Sequence, residues 1–333
     1  MRVRAPSKRS SVTPCGFAAL AAWAVFCFGR VATAEPSGLP PEVGYNYSEI
    51  ETPRIAALAG AQRAYATSLG ALFLNPANMA VARVYHVGAL AQIWPEARRQ
   101  SYGAAAVDSV VSSAGVAGGI GATYNIQDPD GVDRQYNDLR FALALPISDS
   151  FFAGVGGRYL WLSQDGFGPL GPSPASGGLR DERIVSGVTF DAGLTLKPGD
   201  LLAISLVGNN LNDPDNGFQP LSIAGAIGVG TRDFTVEADA LADFTTWGET
   251  TSRWMLGAEV LVADHVPVRA GYRFDDGADS HALSFGLGYV ETTFAAEIGL
   301  RRVVSGDEAT TIVLGFSYHL EATGLTPSQT DTF

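Results

Sequence analysis

Long stretches of the chain alternate apolar and polar positions with a period of two. Between residues 234 and 244 the even positions carry Phe, Val or Ala, whereas the odd positions are mostly acidic or hydroxyl residues. The same alternation returns in the segments 265–275, 293–301 and 311–320. Because successive side chains of a β-strand point to opposite faces, this period predicts strands with one apolar face and one polar face.

Applied to the whole chain, the alternation predicts about fourteen strands. We expect them near 83–94, 101–112, 115–126, 137–148, 150–163, 183–196, 200–209, 220–231, 233–245, 253–263, 265–275, 280–290, 292–303 and 310–320. The predicted links alternate strictly between long and short, with 113–114 among the short ones and the Gly- and Pro-rich stretch 164–182 the longest. Such alternation is typical of a membrane barrel with tight turns at one end and long loops at the other.

Two architectures compete for this pattern, because a soluble sandwich turns its apolar face inward and a membrane barrel turns it outward. The polar face is rich in Gly, Ala and Ser, as in the segment 280–288, which suits a crowded interior. Aromatic residues such as Trp94, Trp254 and Tyr289 lie near predicted strand ends, where membrane barrels place their aromatic girdles. We therefore predict an all-β fold, a closed antiparallel transmembrane β-barrel over residues 82–320 with its apolar face outward.

The N-terminus predicts export. Residues 1–34 combine a basic start, a short apolar core and small residues at 32–34, which is the pattern of a cleavable signal peptide, with cleavage near Ala34. Both cysteines, Cys15 and Cys27, fall in this segment, so the mature chain would hold no disulfide and no cysteine-ligated metal. No later segment has the roughly 18 consecutive apolar residues of a membrane helix. A location in the outer membrane follows for the mature barrel, which would contact the lipid of that membrane.

Charge and motifs exclude several functions. The formal net charge is −12, opposite in sign to the footprint of a nucleic-acid-binding protein. The four histidines form no recognisable motif with a nucleophile or a metal, and no Gly-rich phosphate loop precedes a helix. We predict no enzyme activity, no cofactor and no metal site.

Residues 35–81, before the first strand, form a leader and a predicted plug, or hatch. Residues 53–69 are small and compatible with helix, and residues 71–80 read ALFLNPANMA. The stretch 60–80 resembles the N-terminal hatch of the FadL-like family, outer-membrane transporters of long-chain fatty acids and other hydrophobic compounds. The segments 268–273 and 283–289 are similar to the related PorV-type proteins.

The resemblance to FadL-like proteins implies a fourteen-strand barrel, a short, partly helical plug in the lumen and the transport of hydrophobic small molecules. The resemblance to PorV-type proteins implies a different function, in which the barrel binds, escorts or anchors secreted or periplasmic proteins. The shorter chain and modest loops put a large external binding groove in doubt. We carry both functions forward, together with the third possibility of a purely structural surface protein.

Two sets of residues are candidate sites. The first is the hatch turn Asn75, Pro76, Ala77, Asn78 and Met79, which either moves to admit a ligand or is a static turn that plugs the barrel. The second is a set of charges on the predicted inner face, which form a polar path, a docking surface for the plug, or ion pairs that fill the lumen. These charges are Arg140, Arg158, Asp191, Glu237, Asp239, Asp243, Glu259, Arg269, Arg273, Glu297 and Arg301.

Two further segments are interpreted from composition. Phe167, Pro169, Leu170 and Phe218 lie in predicted long loops, where they form a lip that collects ligand, a docking patch, or ordinary loop packing. The polar tail 321–333 is predicted to be a disordered periplasmic end.

Overall fold

The computed structural model of the chain describes residues 50–127, 133–165, 182–214, 218–231, 233–247 and 249–319. The predicted signal peptide 1–34, the first part of the leader (35–49) and the tail 321–333 lie outside the described residues. So do the loop residues Phe167, Pro169 and Leu170.

Fourteen strands form one closed antiparallel barrel, in which each strand pairs with its neighbours along the chain and the first strand pairs with the last. This confirms the predicted strand number, order and closure. The strands are β1 Tyr85–Trp94, β2 Arg99–Asp108, β3 Ala117–Gln127, β4 Asp133–Ser148, β5 Phe151–Asp165, β6 Glu182–Leu196, β7 Leu202–Asn209, β8 Ser222–Gly230, β9 Phe234–Asp243, β10 Thr251–Val262, β11 Val266–Asp275, β12 Ser280–Val290, β13 Phe294–Ser305 and β14 Thr310–His319.

The two faces of the strands differ as the alternation predicts. On β9, Glu237 and Asp239 are buried in the interior, whereas Phe234 at the start of the strand is exposed on the outer wall. Ile120 and Val155 on the outer wall of other strands are 66% and 60% exposed. A water-soluble protein rarely exposes so continuous an apolar surface, and a barrel surrounded by lipid is expected to do so.

The predicted end of β2 is wrong. This strand was expected at 101–112 with a short link at 113–114, but it ends at Asp108, and the link to β3 spans 109–116. The chain leaves the sheet because the Asp108 carboxylate accepts hydrogen bonds from the N–H groups of Val110 (2.8 Å) and Val111 (3.1 Å). The link after β2 is therefore longer than the link 95–98 before it, and the strict alternation of long and short links fails at this pair.

The start of β4 is also displaced from its predicted position. The strand begins at Asp133 rather than near 137, because residues 134–137 continue the ladder with β3. With 16, 15 and 15 residues, β4, β5 and β6 are the longest strands of the barrel, so pairing extends into a region that polar composition alone marks as loop.

Residues 50–81, which we call the lumen segment, lie inside the barrel. They contain helix α1 (Pro53–Ala57), helix α2 (Ser68–Leu74) and a 3₁₀ helix (Pro76–Ala80). Thr52 caps α1 by accepting a hydrogen bond from the N–H of Ile55, and Asn75 begins the 3₁₀ helix in the same way through Ala77. In the part of the chain that the structure describes, no helix is long and apolar enough to cross a membrane.

Candidate functional site

Glycines on the inner face of the strands make room for the lumen segment. A Cβ atom at Gly271 would lie 2.5 Å from the carbonyl carbon of Leu58, and one at Gly154 would overlap the backbone of Ala77. Real side chains do not tolerate such distances, so the wall is bare of side chains where the segment's backbone touches it. The segment also lies against Gly88, Gly119, Gly121, Gly193, Gly228, Gly257, Gly286, Gly299 and Gly315.

Two predicted lumen carboxylates, Glu237 and Asp239, bind four consecutive backbone N–H groups of the lumen segment, those of residues 62–65. Asp239 accepts from residues 62 (3.3 Å) and 63 (3.2 Å), and Glu237 accepts from residues 64 (2.5 Å) and 65 (3.1 Å). The guanidinium of Arg63 also pairs with Asp239 at 3.1 Å. These contacts satisfy backbone donors that would otherwise be buried without partners.

Ion pairs hold the start of the lumen segment to β10 and β13. Glu51 pairs with Arg301 at 2.5 Å, and Arg54 pairs with Glu259 at 2.7 Å. Arg269 on the adjacent strand also binds Glu259. Three of the predicted lumen charges, Arg301, Glu259 and Arg269, therefore belong to a network that fixes the segment around α1.

The hatch turn is buried and densely bonded. The Asn75 amide donates to the carbonyl of Arg63 (2.8 Å) and to the hydroxyl of Thr195 (2.9 Å). The Asn78 amide donates to the same Arg63 carbonyl (2.9 Å) and accepts from Thr195 (2.6 Å). The turn thus ties the lumen segment to itself and to β6, while Pro76, Ala77 and Met79 are buried beside it.

A third network lies towards the long loops and centres on Asp138. This buried carboxylate binds the predicted lumen residues Arg158 (2.6 Å) and Arg140 (3.3 Å). Arg140 also donates to the carbonyl of Phe73 at the end of α2 (3.0 Å), and Arg158 donates to the carbonyl of Phe218 (3.2 Å). The network therefore connects the link 210–221, which contains Phe218, with the lumen segment.

The remaining predicted lumen charges bind groups of the barrel wall or of its links rather than the lumen segment. Asp191 accepts a hydrogen bond from the N–H of Asn210 at 2.8 Å, and Asp243 accepts one from the N–H of Thr246 at 2.9 Å. Arg273 lies 3.9 Å from the carboxylate of Asp275, and Glu297 pairs with Arg269 at 2.6 Å. All the predicted lumen charges lie on the inner face, in contact either with the lumen segment or with neighbouring groups.

A cavity of about 970 Å³ opens at the short-turn end of the barrel, below the lumen segment. One side of it is apolar and includes Leu69 and Phe73 of α2, Leu90 of β1 and Phe152 of β5. The other side carries the ion pairs around Glu259. A cavity of this size with one apolar wall and a few polar groups has the properties of a small-molecule binding site.

Polar groups also line the mouth of this cavity. Ser68 Oγ lies 2.5 Å from His86 Nδ1, and the His86 ring stacks on His319 with centroids 3.9 Å apart, across the seam between β1 and β14. Lys197, in a short turn, lies 5.7 Å from the ring centre of Tyr65. Burial lowers the pKa of Lys197, and the nearby Asp200 opposes that shift.

A second, much smaller pocket of about 30 Å³ lies on the long-loop side of the segment. It is lined by Leu74, Arg140, Arg158 and Asp191 among others, and also by Phe73. Phe73 therefore borders both the small upper pocket and the large lower cavity.

The sequence analysis does not identify several residues of this site. Asp138 carries a usable signal, because it lies two positions before Arg140 on the same face of β4. Arg54 and Arg63 give no such signal, since nothing local shows that their segment enters the lumen. Among the loop residues singled out from sequence, Phe218 is only 1% exposed, in agreement with ordinary loop packing.

Comparison with known proteins places this geometry among solved barrels. No family model matches the chain, and no curated protein matches it. The CymD monoaromatic hydrocarbon channel superposes with a TM-score of 0.62 at 15% identity, covering 82% of this chain and 98% of that one. The Ralstonia pickettii toluene transporter TbuX gives 0.61 at 13% identity, with 83% and 100% covered. A Pseudomonas aeruginosa FadL homologue gives 0.57 at 12% identity, with 80% and 97% covered. At these identities the comparison establishes a shared fold, and it confirms the resemblance to the FadL-like barrel at that level.

Proposed function

We propose that the chain is an outer-membrane channel that binds hydrophobic small molecules in its lumen and passes them towards the periplasm. The observation that carries the proposal is the cavity of about 970 Å³ with an apolar wall, enclosed in a barrel whose outer surface is apolar. Ligand pockets typically measure roughly 300–1,000 Å³ and bury most of an apolar ligand. The hydrocarbon channels with the same fold support this choice of cargo class.

Export is part of the same proposal. Residues 1–34 would direct the chain through the inner membrane and be removed after Ala34, and the barrel would then insert with its short turns in the periplasm. In this orientation the large cavity opens to the periplasm, and the small upper pocket faces the cell exterior.

The lumen charges act in this proposal as a docking surface for the lumen segment. Glu237, Asp239 and Glu259 each bind the segment directly, which supports docking over a free polar path for solutes. The hatch turn 75–79 acts as a static anchor. Its amides are bonded to Thr195 and to the Arg63 carbonyl, and moving it would break all of these contacts.

Protein docking is the alternative function, and it requires an exposed apolar surface on the loops. Phe218 does not supply one, because its side chain is buried and its carbonyl is held by Arg158. A protein that co-purifies in stoichiometric amount with the barrel would favour this alternative over small-molecule transport.

The transport proposal is tested by uptake into cells. A Gram-negative host that lacks its own transporter for these compounds would express the full chain, and entry of labelled oleate and labelled toluene would be followed separately. We expect entry of at least one compound above the empty-vector control, and the preferred compound tells whether the cargo is a chain-like fatty acid or a compact hydrocarbon. Equal uptake with and without the protein would overturn the proposal.

A substitution in the cavity connects uptake to this site. Leu90→Asn places an amide in the apolar wall, and we expect uptake to fall about tenfold, which corresponds to roughly 1.4 kcal/mol of lost binding. Thr231→Asn introduces the same side chain at a polar position of the same cavity and serves as the control, with uptake close to that of the unmodified chain.

A further inference from the structure

The two halves of the lumen segment are attached to the barrel in different ways. Residues 51–65 are held by ion pairs and by hydrogen bonds to buried carboxylates, as at Arg54–Glu259 and Arg63–Asp239. Helix α2 instead packs its apolar side chains against β1–β4, with Leu69 at Gly88 and Leu72 at Gly119. Because apolar contacts have no directional preference, the apolar side chains of α2 can be displaced along this wall with a smaller loss of interaction energy than the ionic contacts of residues 51–65.

Phe73 stands at the point where such a shift would matter. Its side chain belongs to the border of both the upper pocket and the lower cavity. The wall beside it is bare, because the position opposite the ring is Gly121, where a Cβ atom would lie 3.3 Å from Phe73 Cε1. The Phe73 ring thus fills the space between the two chambers.

A charged network fixes the backbone of this residue. Arg140 donates to the Phe73 carbonyl at 3.0 Å and places its guanidinium 5.8 Å from the ring centre. Asp138 binds Arg140 and Arg158 together, and Arg158 reaches the carbonyl of Phe218 in the link 210–221. Consecutive polar contacts therefore join the end of α2 to Phe218, in the link at the long-loop end of the barrel.

We propose that Phe73 is the barrier and size-selecting residue between the upper pocket and the lower cavity, and that Asp138, through Arg140, is the positioning residue that keeps it closed. This inference rests on the proposed transport function and names its route, which passes α2 on the β1–β4 side of the lumen. Cargo that arrives from the long-loop side reaches the lower cavity only when the Phe73 ring is displaced from its position against Gly121. A displacement of Phe218 would be transmitted to Phe73 through Arg158, Asp138 and Arg140.

Ion conductance in planar lipid bilayers tests the barrier independently of cargo, with potassium chloride as the probe. Phe73→Ala would join the two chambers, and we expect conductance to rise several-fold over the unmodified chain. Leu58→Ala is the matched control, because it removes a buried apolar side chain of the same segment at Gly257, away from the border between the chambers. An equal rise in both variants, or no rise in Phe73→Ala, would overturn the assignment.

Uptake of toluene in cells tests size selection. Phe73→Trp enlarges the barrier and should lower uptake several-fold, whereas Phe73→Ala should raise it and admit bulkier aromatic compounds. Heat-dependent electrophoretic mobility of the barrel checks that each variant is folded. If the unmodified chain transports toluene and both variants take it up equally well, Phe73 is not the size-selecting barrier. Raised ion conductance in Phe73→Ala without hydrocarbon uptake by any form would retain the barrier and reject the transport function.

The positioning role of Asp138 is tested by comparing the conductance of the double variant with that of the two single variants. Asp138→Asn removes the charge that holds Arg140 and Arg158, so conductance should rise, though less than in Phe73→Ala. The double variant should conduct like Phe73→Ala alone if both changes act on one barrier. Independent, multiplying effects would show that Asp138 does not act through Phe73.

Discussion

Glycine has a specific function on the inner face of this barrel. Several glycines there face backbone atoms of the lumen segment rather than flexible side chains, as Gly271 faces Leu58 and Gly154 faces Ala77. A strand glycine normally costs stability, since it adds nothing to packing and gains freedom in the unfolded chain. The cost is offset here because a side chain would exclude the segment from the lumen.

This explanation predicts a large effect from the smallest possible substitution. Gly271→Ala would force the wall and the Leu58 backbone apart, and overpacking of this kind typically costs about 1–3 kcal/mol. Gly225→Ala, on the outer face of β8 with no atom within 4 Å of the new Cβ, should change stability by less than about 0.5 kcal/mol. Urea unfolding of both variants in the same lipid or detergent measures the difference. Similar midpoints would show that the close contact is not restrictive.

The residue scale also shows what the sequence can and cannot predict. The inward direction of Glu237 and Asp239 follows from period two, because alternation is a local property of a strand. Their partners could not be predicted, since Asp239 and Arg63 are 176 residues apart and no local pattern encodes which loop reaches which strand. The end of β2 was misjudged for a related reason, because Val110 and Val111 look like strand residues and only the capping by Asp108 removes them from the sheet.

At the scale of elements, the lumen segment is a string of short helices that cannot be stable alone. Helices of five and seven residues are far below the length that is marginally stable in water. The wall stabilises them. Ion pairs of Glu51 and Arg54 hold the region around α1, the carboxylates on β9 hold residues 62–65 between the helices, and α2 packs on bare apolar surface. The sequence predicts a hatch at residues 60–80 only through its resemblance to other barrels, and that assignment stays a prediction. The division of the lumen segment into ionic contacts at residues 51–65 and apolar contacts at α2 required the structure.

Removing one carboxylate of β9 should therefore release the middle of the segment. Asp239→Ala leaves Arg63 and two backbone N–H groups buried without their acceptor, and loss of one partner of a buried pair costs roughly 3–5 kcal/mol. The urea midpoint of Asp239→Ala should fall accordingly.

Glu308→Ala is the control for this change. It also removes a carboxylate from an ion pair, the one with Arg302, but its side chain is 70% exposed, so we expect an effect of about 0–1 kcal/mol. Equal urea midpoints for Asp239→Ala and Glu308→Ala would contradict the clamping role of Asp239.

At the scale of the whole molecule, the barrel inverts the usual distribution of residue types. Charges such as Arg158 and Asp138 lie inside with partners, while Leu206 and Phe190 are more than half exposed on the outer wall. Such an arrangement is stable only where the surroundings are apolar, because the exposed wall gains nothing from water and the enclosed charges are already paired. The same inversion gives the interior charged networks with apolar clusters between them, one of which lies where α2 meets β1–β4.

A charged residue on the outer wall measures those surroundings directly. Leu206→Arg lies in the middle of β7, and at the centre of a bilayer an arginine on the lipid face costs roughly 2–4 kcal/mol. Leu201→Arg lies in the short turn before β7 and is equally exposed, so at the membrane surface it should cost only about 0–1 kcal/mol. Urea titration of both variants folded into phospholipid vesicles gives the two values. A Leu206→Arg barrel as stable as the Leu201→Arg barrel would place the wall in water, and the apolar exterior would then need a protein partner to cover it.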